Sequence, residues 1–143
     1  HNFKERKMEN LKEIVAPFYN ECLTVNAETN VAEKMGQILA DSFKSKGSND
    51  VKTKEQLIGQ IQFFWKLVPD LKWEIQEMIQ EGNQVVVRSL ASGTPNGNFM
   101  GVQTDGTKSF KTMTIDIHTV QNGQVAEVHH LEDWSTAIKQ LQG

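Results

Sequence analysis

The stretch from Thr112 to Trp134 constrains the fold more than any other part of this sequence. Two segments in which apolar and polar residues alternate flank the dipeptide Asn122-Gly123. Asn-Gly favours a two-residue turn, because both central positions of that turn need a positive φ. The sequence therefore predicts an antiparallel β-hairpin that turns at Asn122-Gly123.

The first strand of this hairpin has one apolar side and one polar side. Successive side chains of a strand point to opposite faces, so Asp116 and His118 lie opposite Ile115 and Ile117. One interpretation is that the polar side faces water, as one side of an antiparallel sheet commonly does. The other is that it lines an interior pocket, and the candidate chemistry of the chain then lies here.

Composition limits the classes of protein that fit. A chain of 143 residues is long enough for one domain with one core, which we assign to 8–143, and the charged segment 1–7 reads as a loose lead-in or a remnant of a tag or of processing. The formal net charge is −3 and the basic residues are scattered, so no nucleic-acid partner is expected. Cys22 has no second cysteine with which to form a disulfide.

The apolar residues are interrupted by charge every few positions, so no segment is long enough to cross a bilayer. We therefore expect a soluble protein without a membrane partner, in the cytoplasm rather than exported.

Three helices are predicted in the N-terminal half. The first runs from Met8 to about Val25 and should bend or split at Pro17, which lacks an amide donor. Asn30 is a suitable cap for the second helix, which should end before a polar loop at 46–50. A capping box that starts at Thr53 predicts the third helix.

Strands and turns are predicted from Pro69-Asp70 onward, where the apolar period changes from 3.6 to two. Asp133 is a suitable cap for a short terminal helix. This order predicts an α+β fold in which helices cover one side of a bent sheet, an arrangement that can leave a pocket between them. The remaining predicted features are a strand from Leu71, a turn at 81–84, a strand at 85–91, a glycine-rich loop at 93–101, a turn at 105–106 and the hairpin strand from Lys108.

Four segments, 69–75, 82–88, 97–102 and 115–134, together resemble the SnoaL-like polyketide cyclases of the nuclear transport factor 2-like (NTF2-like) superfamily. The resemblance covers about residues 10 to 141. It implies a cone-shaped barrel of a strongly bent antiparallel sheet packed against three N-terminal helices, with a short C-terminal helix. It also implies a cofactor-free intramolecular aldol ring closure on a small hydrophobic molecule, and a homodimer formed through the open face of the sheet.

The resemblance also assigns candidate catalytic residues. Asp116 matches the position of the protonated oxyanion-hole aspartic acid of ketosteroid isomerase, a related enzyme, and Tyr19 matches the other donor of that hole. His130 matches the acid/base position of the cyclases. The general base of ketosteroid isomerase would fall near Gly47, which cannot act as a base, so steroid-type isomerisation is disfavoured.

The choice between two neighbouring histidines depends on the register of the hairpin. A strict two-residue turn places His129 opposite Asp116. The family has a β-bulge in this hairpin, and one extra residue reverses the parity and places His130 there. We expect His130.

These residues support two classes of function. One is an enzyme, a cyclase-like lyase or isomerase. In this enzyme His130 is the acid/base, Asp116 is its orienting partner or a neutral donor, and Tyr19 is a second donor. The other is a non-catalytic module that binds a small ligand or supports an assembly. No metal site is expected, because neighbouring residues of a strand point oppositely. The residues proposed to bind substrate are His118, Arg88, Trp65, Phe64, Phe99, Met113 and Glu132.

Overall fold

Between residues 10 and 143 the chain forms four α-helices packed on a strongly curved, mixed β-sheet that does not close. The structure is a computed structural model, and it describes residues 10–143. The lead-in predicted at 1–7 and the helix start predicted at Met8 lie outside that part. The predicted α+β class is confirmed.

The helices begin where the sequence places their caps. The side chain of Asn30 accepts from the Glu33 amide at 3.0 Å, and Thr53 forms a complete capping box. The side chain of Asp133 caps the last helix. No helix in residues 10–143 combines the length and the apolar character needed to cross a membrane. The helices are α1 (Lys12–Pro17), α2 (Val31–Ile38), α3 (Lys54–Leu67) and α4 (Trp134–Gln142).

The break expected at Pro17 takes the form of a change in helix geometry. α1 ends at Pro17 and continues directly into a π-helical turn, Phe18–Cys22. Short π segments of this kind are frequently found at functional sites. Here the turn carries the fully buried side chains of Tyr19 and Cys22.

The main sheet has six strands in the order β2-β1-β8-β7-β4-β3, and β5 and β6 form a separate hairpin. β1 runs parallel to β8, whereas every other pair is antiparallel. The strands are β1 (Leu39–Lys46), β2 (Val51–Thr53), β3 (Lys72–Glu81), β4 (Gln84–Gly93), β5 (Asn96–Phe99), β6 (Val102–Asp105), β7 (Phe110–Gln121) and β8 (Gln124–Glu132).

Two local predictions were wrong. Leu39–Lys46 is a strand, although Leu39 was expected in the second helix, and its parallel pairing makes the sheet mixed rather than purely antiparallel. Its apolar side chains do not alternate, and its pairing with β8 shifts register between Leu39 and Lys44. The expected glycine-rich loop contains β5, which pairs only with β6.

The hairpin that dominates the sequence is present as predicted. β7 and β8 are joined by Asn122-Gly123, and both residues have positive φ, 54° and 78°. The hairpin contributes the two central strands β7 and β8, and α1, α2 and α4 pack on these strands.

Candidate functional site

The polar side of β7 faces the interior of the protein. Thr112, Thr114, Asp116 and His118 are each at most 5% exposed. The apolar side faces outward, and Ile115 there is 42% exposed. The usual orientation of an amphipathic strand is therefore reversed, and the interpretation of the polar side as a wetted surface is excluded.

A β-bulge in β8 decides which histidine lies beside Asp116. Val120 pairs with Val125 next to the turn, but the register then shifts, so that Asp116 pairs with His130. Ala126 is the extra residue of the bulge. His129 pairs with an outward-facing residue, and its side chain is 59% exposed.

The Tyr19 hydroxyl links the π-helical turn to two side chains at the centre of the inner face of β7. It donates to Asp116 Oδ2 at 2.6 Å and lies 2.6 Å from Nε2 of His118. The sequence predicts that Tyr19 and Asp116 donate to one ligand oxygen, but in the structure the hydroxyl is hydrogen-bonded to Asp116 itself. Tyr19 therefore supports the carboxyl group and does not line the cavity described below.

The environment of Asp116 favours its neutral form. Burial raises the pKa of this carboxyl group to about 7, and the hydrogen bond from Tyr19 offsets part of that rise. The nearby carboxylate of Glu132 raises the pKa further. The Leu131 amide also lowers the pKa of this carboxyl group. Oδ1 is buried and has no partner within hydrogen-bond distance among residues 10–143, so this oxygen retains unused hydrogen-bonding capacity.

His130 is held by a carboxylate on its own strand. Nδ1 lies 2.8 Å from Oε2 of Glu132, and this hydrogen bond raises the pKa of the imidazole, although burial opposes the rise. The bond occupies Nδ1, so Nε2 is the ring nitrogen that remains for a substrate. A Cβ built on Gly47 would lie 3.1 Å from that Nε2, which shows how closely the β1–β2 turn approaches the ring.

A cavity of about 140 Å³ lies between α3 and the inner face of the sheet. Its volume is close to that of an engineered apolar cavity of about 150 Å³ that binds benzene. The cavity therefore has room for a single six-membered ring. Its wall combines apolar side chains with a few polar ones, and it is lined by Phe18, Leu23, Ser45, Leu57, Gln60, Ile61, Phe64, Trp73, Met100, Asp116, Val128, His130, Glu132 and Trp134.

Of the residues proposed to bind substrate, Phe64 and Glu132 line the cavity, and His118 lies behind it in contact with Tyr19. Trp65 is turned toward the π-helical turn, where its Nε1 donates to the Cys22 carbonyl at 2.8 Å. Phe99 is fully buried behind Trp134, with the ring centroids 5.8 Å apart.

Arg88 and Met113 lie on the outer face of the sheet. Arg88 Nε is paired with Glu77 at 2.5 Å, and Met113 is 45% exposed. Neither contacts the cavity, because residues of β4 and β7 that face outward cannot reach the opposite side of the sheet. We therefore assign no ligand contact to Arg88, Met113, Trp65 or Phe99.

Several lining residues were not found from the sequence. Ser45 lies on β1, which was not predicted as a strand, so nothing indicated which way it points. Gln60 and Leu57 share one side of α3, and the helical period could have identified that side as facing the sheet. Among residues 10–143, no three His, Cys, Asp or Glu side chains are grouped as the ligands of a metal ion would be.

Comparison with solved structures identifies the fold. IdmH from Streptomyces antibioticus, a candidate polyketide cyclase, matches with a TM-score of 0.80 and 23% identity, covering 94% of this chain and 100% of IdmH. A candidate SnoaL-like polyketide cyclase from Jannaschia sp. CCS1 matches with a TM-score of 0.81 and 22% identity, covering 93% and 92%. AclR from Streptomyces galilaeus, a candidate hydroxylase, matches with a TM-score of 0.73 and 19% identity, covering 97% and 96%.

These likenesses establish the NTF2-like fold, and a fold alone does not specify a reaction. In the comparison with curated proteins, no sequence matched. Residues 12–141 match the family model described as SnoaL-like polyketide cyclase. Since that match spans most of the sequence, the chain belongs to the SnoaL-like polyketide cyclase family.

Proposed function

We propose that this protein is a cofactor-free acid/base enzyme that acts on a small hydrophobic carbonyl compound. The reaction is an intramolecular aldol ring closure or a related lyase or isomerase step. The observation that carries the proposal is a buried carboxyl group with one unpartnered oxygen, that of Asp116, on a residue that lines a mostly apolar cavity beside His130.

Each residue has one task in this mechanism. Nε2 of His130 takes a proton from a carbon beside a carbonyl, while Glu132 holds the ring through Nδ1. The neutral carboxyl of Asp116 gives a proton, or a hydrogen bond, to the carbonyl oxygen as it gains negative charge. The resulting enol or enolate carbon attacks a second carbonyl of the same molecule, and the first carbonyl re-forms as any proton given by Asp116 returns to it. The new alkoxide takes its proton from the imidazolium.

The dimensions of the cavity define the substrate class. A volume of about 140 Å³ accommodates one ring, so a larger polyketide needs the exposed side chains of Gln60 and Met100 to move aside. The apolar part of the wall, including Trp73 and Trp134, favours a planar carbonyl compound over a charged one.

The first experiment measures binding of a one-ring oxyanion analogue. We expect p-nitrophenol to bind, and its absorbance reports whether it is ionised in the cavity. Asp116→Asn should weaken binding by about tenfold or more, since the hydrogen bond from the acid to a phenolate is charge-assisted.

The second experiment tests acid/base chemistry with the neighbouring histidine as control. In D₂O, the protein should exchange the hydrogens next to the carbonyl of cyclohexanone, as measured by NMR. His130→Ala should reduce the exchange rate by about 10²-fold or more, while His129→Ala on the outer face should leave it unchanged. Equal rates for His130→Ala and the unmodified protein would show that the assignment is wrong. Binding of p-nitrophenol without exchange would instead identify a non-catalytic ligand-binding module.

We also propose that the protein is a homodimer that associates through the outer face of the sheet. Ile115 and Leu131 pair there, 42% and 65% exposed, beside the ion pair of Arg88 and Glu77. A surface that carries exposed apolar groups and both signs of charge suits a contact with its own copy about a two-fold axis. Other exposed apolar residues of the same face are Met113 and Ile117.

Analytical ultracentrifugation tests this association. Leu131→Asp should convert a dimer into a monomer, because it buries an unpaired charge in the contact. Phe63→Asp, on an exposed part of α3, is the matched control and should leave the dimer intact. A monomeric unmodified protein would refute the proposal.

A further inference from the structure

The Tyr19 hydroxyl has two partners but only one proton to donate. Its oxygen lies 2.6 Å from both Asp116 Oδ2 and His118 Nε2. At this distance each contact is a hydrogen bond, so the hydroxyl donates to one partner and accepts from the other. The direction of this chain of hydrogen bonds depends on the tautomer of His118.

In one arrangement the chain runs from Asp116 toward His118. Oδ2 carries the acid proton and donates to Tyr19, which donates to Nε2, and His118 carries its own proton on Nδ1. That Nδ1 has no partner among residues 10–143, so this arrangement leaves a buried N–H donor unpaired as well as the acceptor Oδ1 of Asp116.

In the other arrangement the chain runs from His118 toward Asp116. Nε2–H donates to Tyr19, Tyr19 donates to Oδ2, and the acid proton of Asp116 lies on Oδ1. Nδ1 of His118, which has no partner among residues 10–143, then carries no hydrogen and is only an acceptor. The single unpaired donor is Oδ1–H, on the residue that lines the cavity, where a ligand can accept from it.

We propose that His118 is a positioning residue whose Nε2–H donates to the Tyr19 hydroxyl and thereby directs the acid proton of Asp116 to Oδ1, toward the cavity. The consequence for catalysis rests on the function proposed above, whereas the placement of the protons does not. His118 touches no substrate in this scheme and acts through two other side chains.

The surroundings of His118 favour a fixed neutral ring. Val85 of β4 and Val128 of β8 flank it in the sheet, and the Phe18 ring lies against it with centroids 5.8 Å apart. Burial lowers the pKa of this imidazole to about 3. The groups that influence the pKa of Asp116 are Tyr19 from the π-helical turn and Glu132, His130 and the Leu131 amide from β8.

The tautomer is measured directly in the unmodified protein. The ¹⁵N chemical shifts of the two imidazole nitrogens distinguish a protonated nitrogen from a bare one. For His118 we expect the neutral Nε2–H form throughout pH 5 to 8. A proton on Nδ1, or a doubly protonated ring in that range, would overturn the proposal.

Two variants separate the proton-directing role from packing. His118→Gln retains an N–H near the position of Nε2, and His118→Leu removes it while keeping an apolar group of similar size. Loss of the donor weakens the bond from Tyr19 to the Asp116 carboxylate, because hydrogen bonds in a chain polarise one another.

We therefore expect the titration midpoint of Asp116, followed by carboxyl ¹³C NMR, to rise by about one pH unit in His118→Leu and to stay near its original value in His118→Gln. Equal midpoints in the unmodified protein and His118→Leu would refute the proposal. If His118→Leu does not fold, the tautomer decides the question. A failure of the exchange experiment with His130→Ala would leave these NMR results unaffected, so the two proposals fail independently.

Discussion

The substitution Asp116→Asn should remove a large pH dependence of stability. The pKa of Asp116 is about 7 in the folded protein, against about 3.9 in an unfolded chain. Between these values the folded state keeps a proton that the unfolded state has released. The free energy of unfolding therefore falls by about 1.4 kcal/mol for each pH unit in this window. Over about three units the loss is on the order of 4 kcal/mol.

Urea unfolding of both proteins from pH 4 to pH 8 measures this effect. Asparagine does not titrate, and the other ionisable groups are common to both proteins, so the difference between them isolates Asp116. We expect the unmodified protein to lose about 3 kcal/mol relative to the variant between pH 4 and pH 7, and a small further amount up to pH 8, because the carboxyl group is still half neutral at pH 7. Glu55→Gln, at an exposed position of α3, controls for the loss of one carboxylate.

A difference between the two proteins that is constant from pH 4 to pH 8 would refute the reasoning. It would mean that Asp116 ionises in the folded protein as readily as in water, and hence that the polar side of β7 is hydrated. A difference of opposite sign would mean that the native state stabilises the carboxylate through its hydrogen bonds more than burial destabilises it.

Three further substitutions test local features of the structure. Gly47→Ala places a Cβ 2.7 Å from Oδ1 of Asp50 and 3.1 Å from Nε2 of His130, so both side chains should shift, and the pKa of His130, which Glu132 and Asp50 raise, should fall toward the ordinary value, as measured by NMR. Trp73→Phe removes the buried hydrogen bond from the indole to Thr114, 3.1 Å long, and should lower the free energy of unfolding by about 1 to 3 kcal/mol in urea titrations. Thr53→Ala removes the cap of α3 and should cost about 1 kcal/mol by the same assay.

Short-range chemistry made several elements predictable. The caps Asn30, Thr53 and Asp133 were recognisable because a capping side chain bonds an amide two or three residues away. The turn at Asn122-Gly123 was recognisable because few dipeptides tolerate positive φ at both positions. In each case the interacting groups are neighbours in the sequence.

The strand β1 was not predictable in this way. Its partner β8 lies more than 80 residues further along the chain, and the two strands are parallel, so no turn sequence connects them. The placement of Ser45 in the cavity depends on that pairing. The same is true of Arg88 and Met113, whose position on the outer face follows from the direction of sheet curvature and not from local pattern.

Local alternation was enough to place Asp116 and His118 on one side of a strand, because side chains alternate with a period of two wherever that strand lies. That this side faces inward depends on how the helices and the sheet assemble. The π-helical turn and α3 cover the polar side and remove water from it, and a single bulged residue, Ala126, brings His130 onto that side. Burial and register are properties of the assembled sheet and not of any single strand. Burial keeps water away from polar side chains that would otherwise be hydrated, and it leaves the carboxyl group of Asp116 half neutral near pH 7.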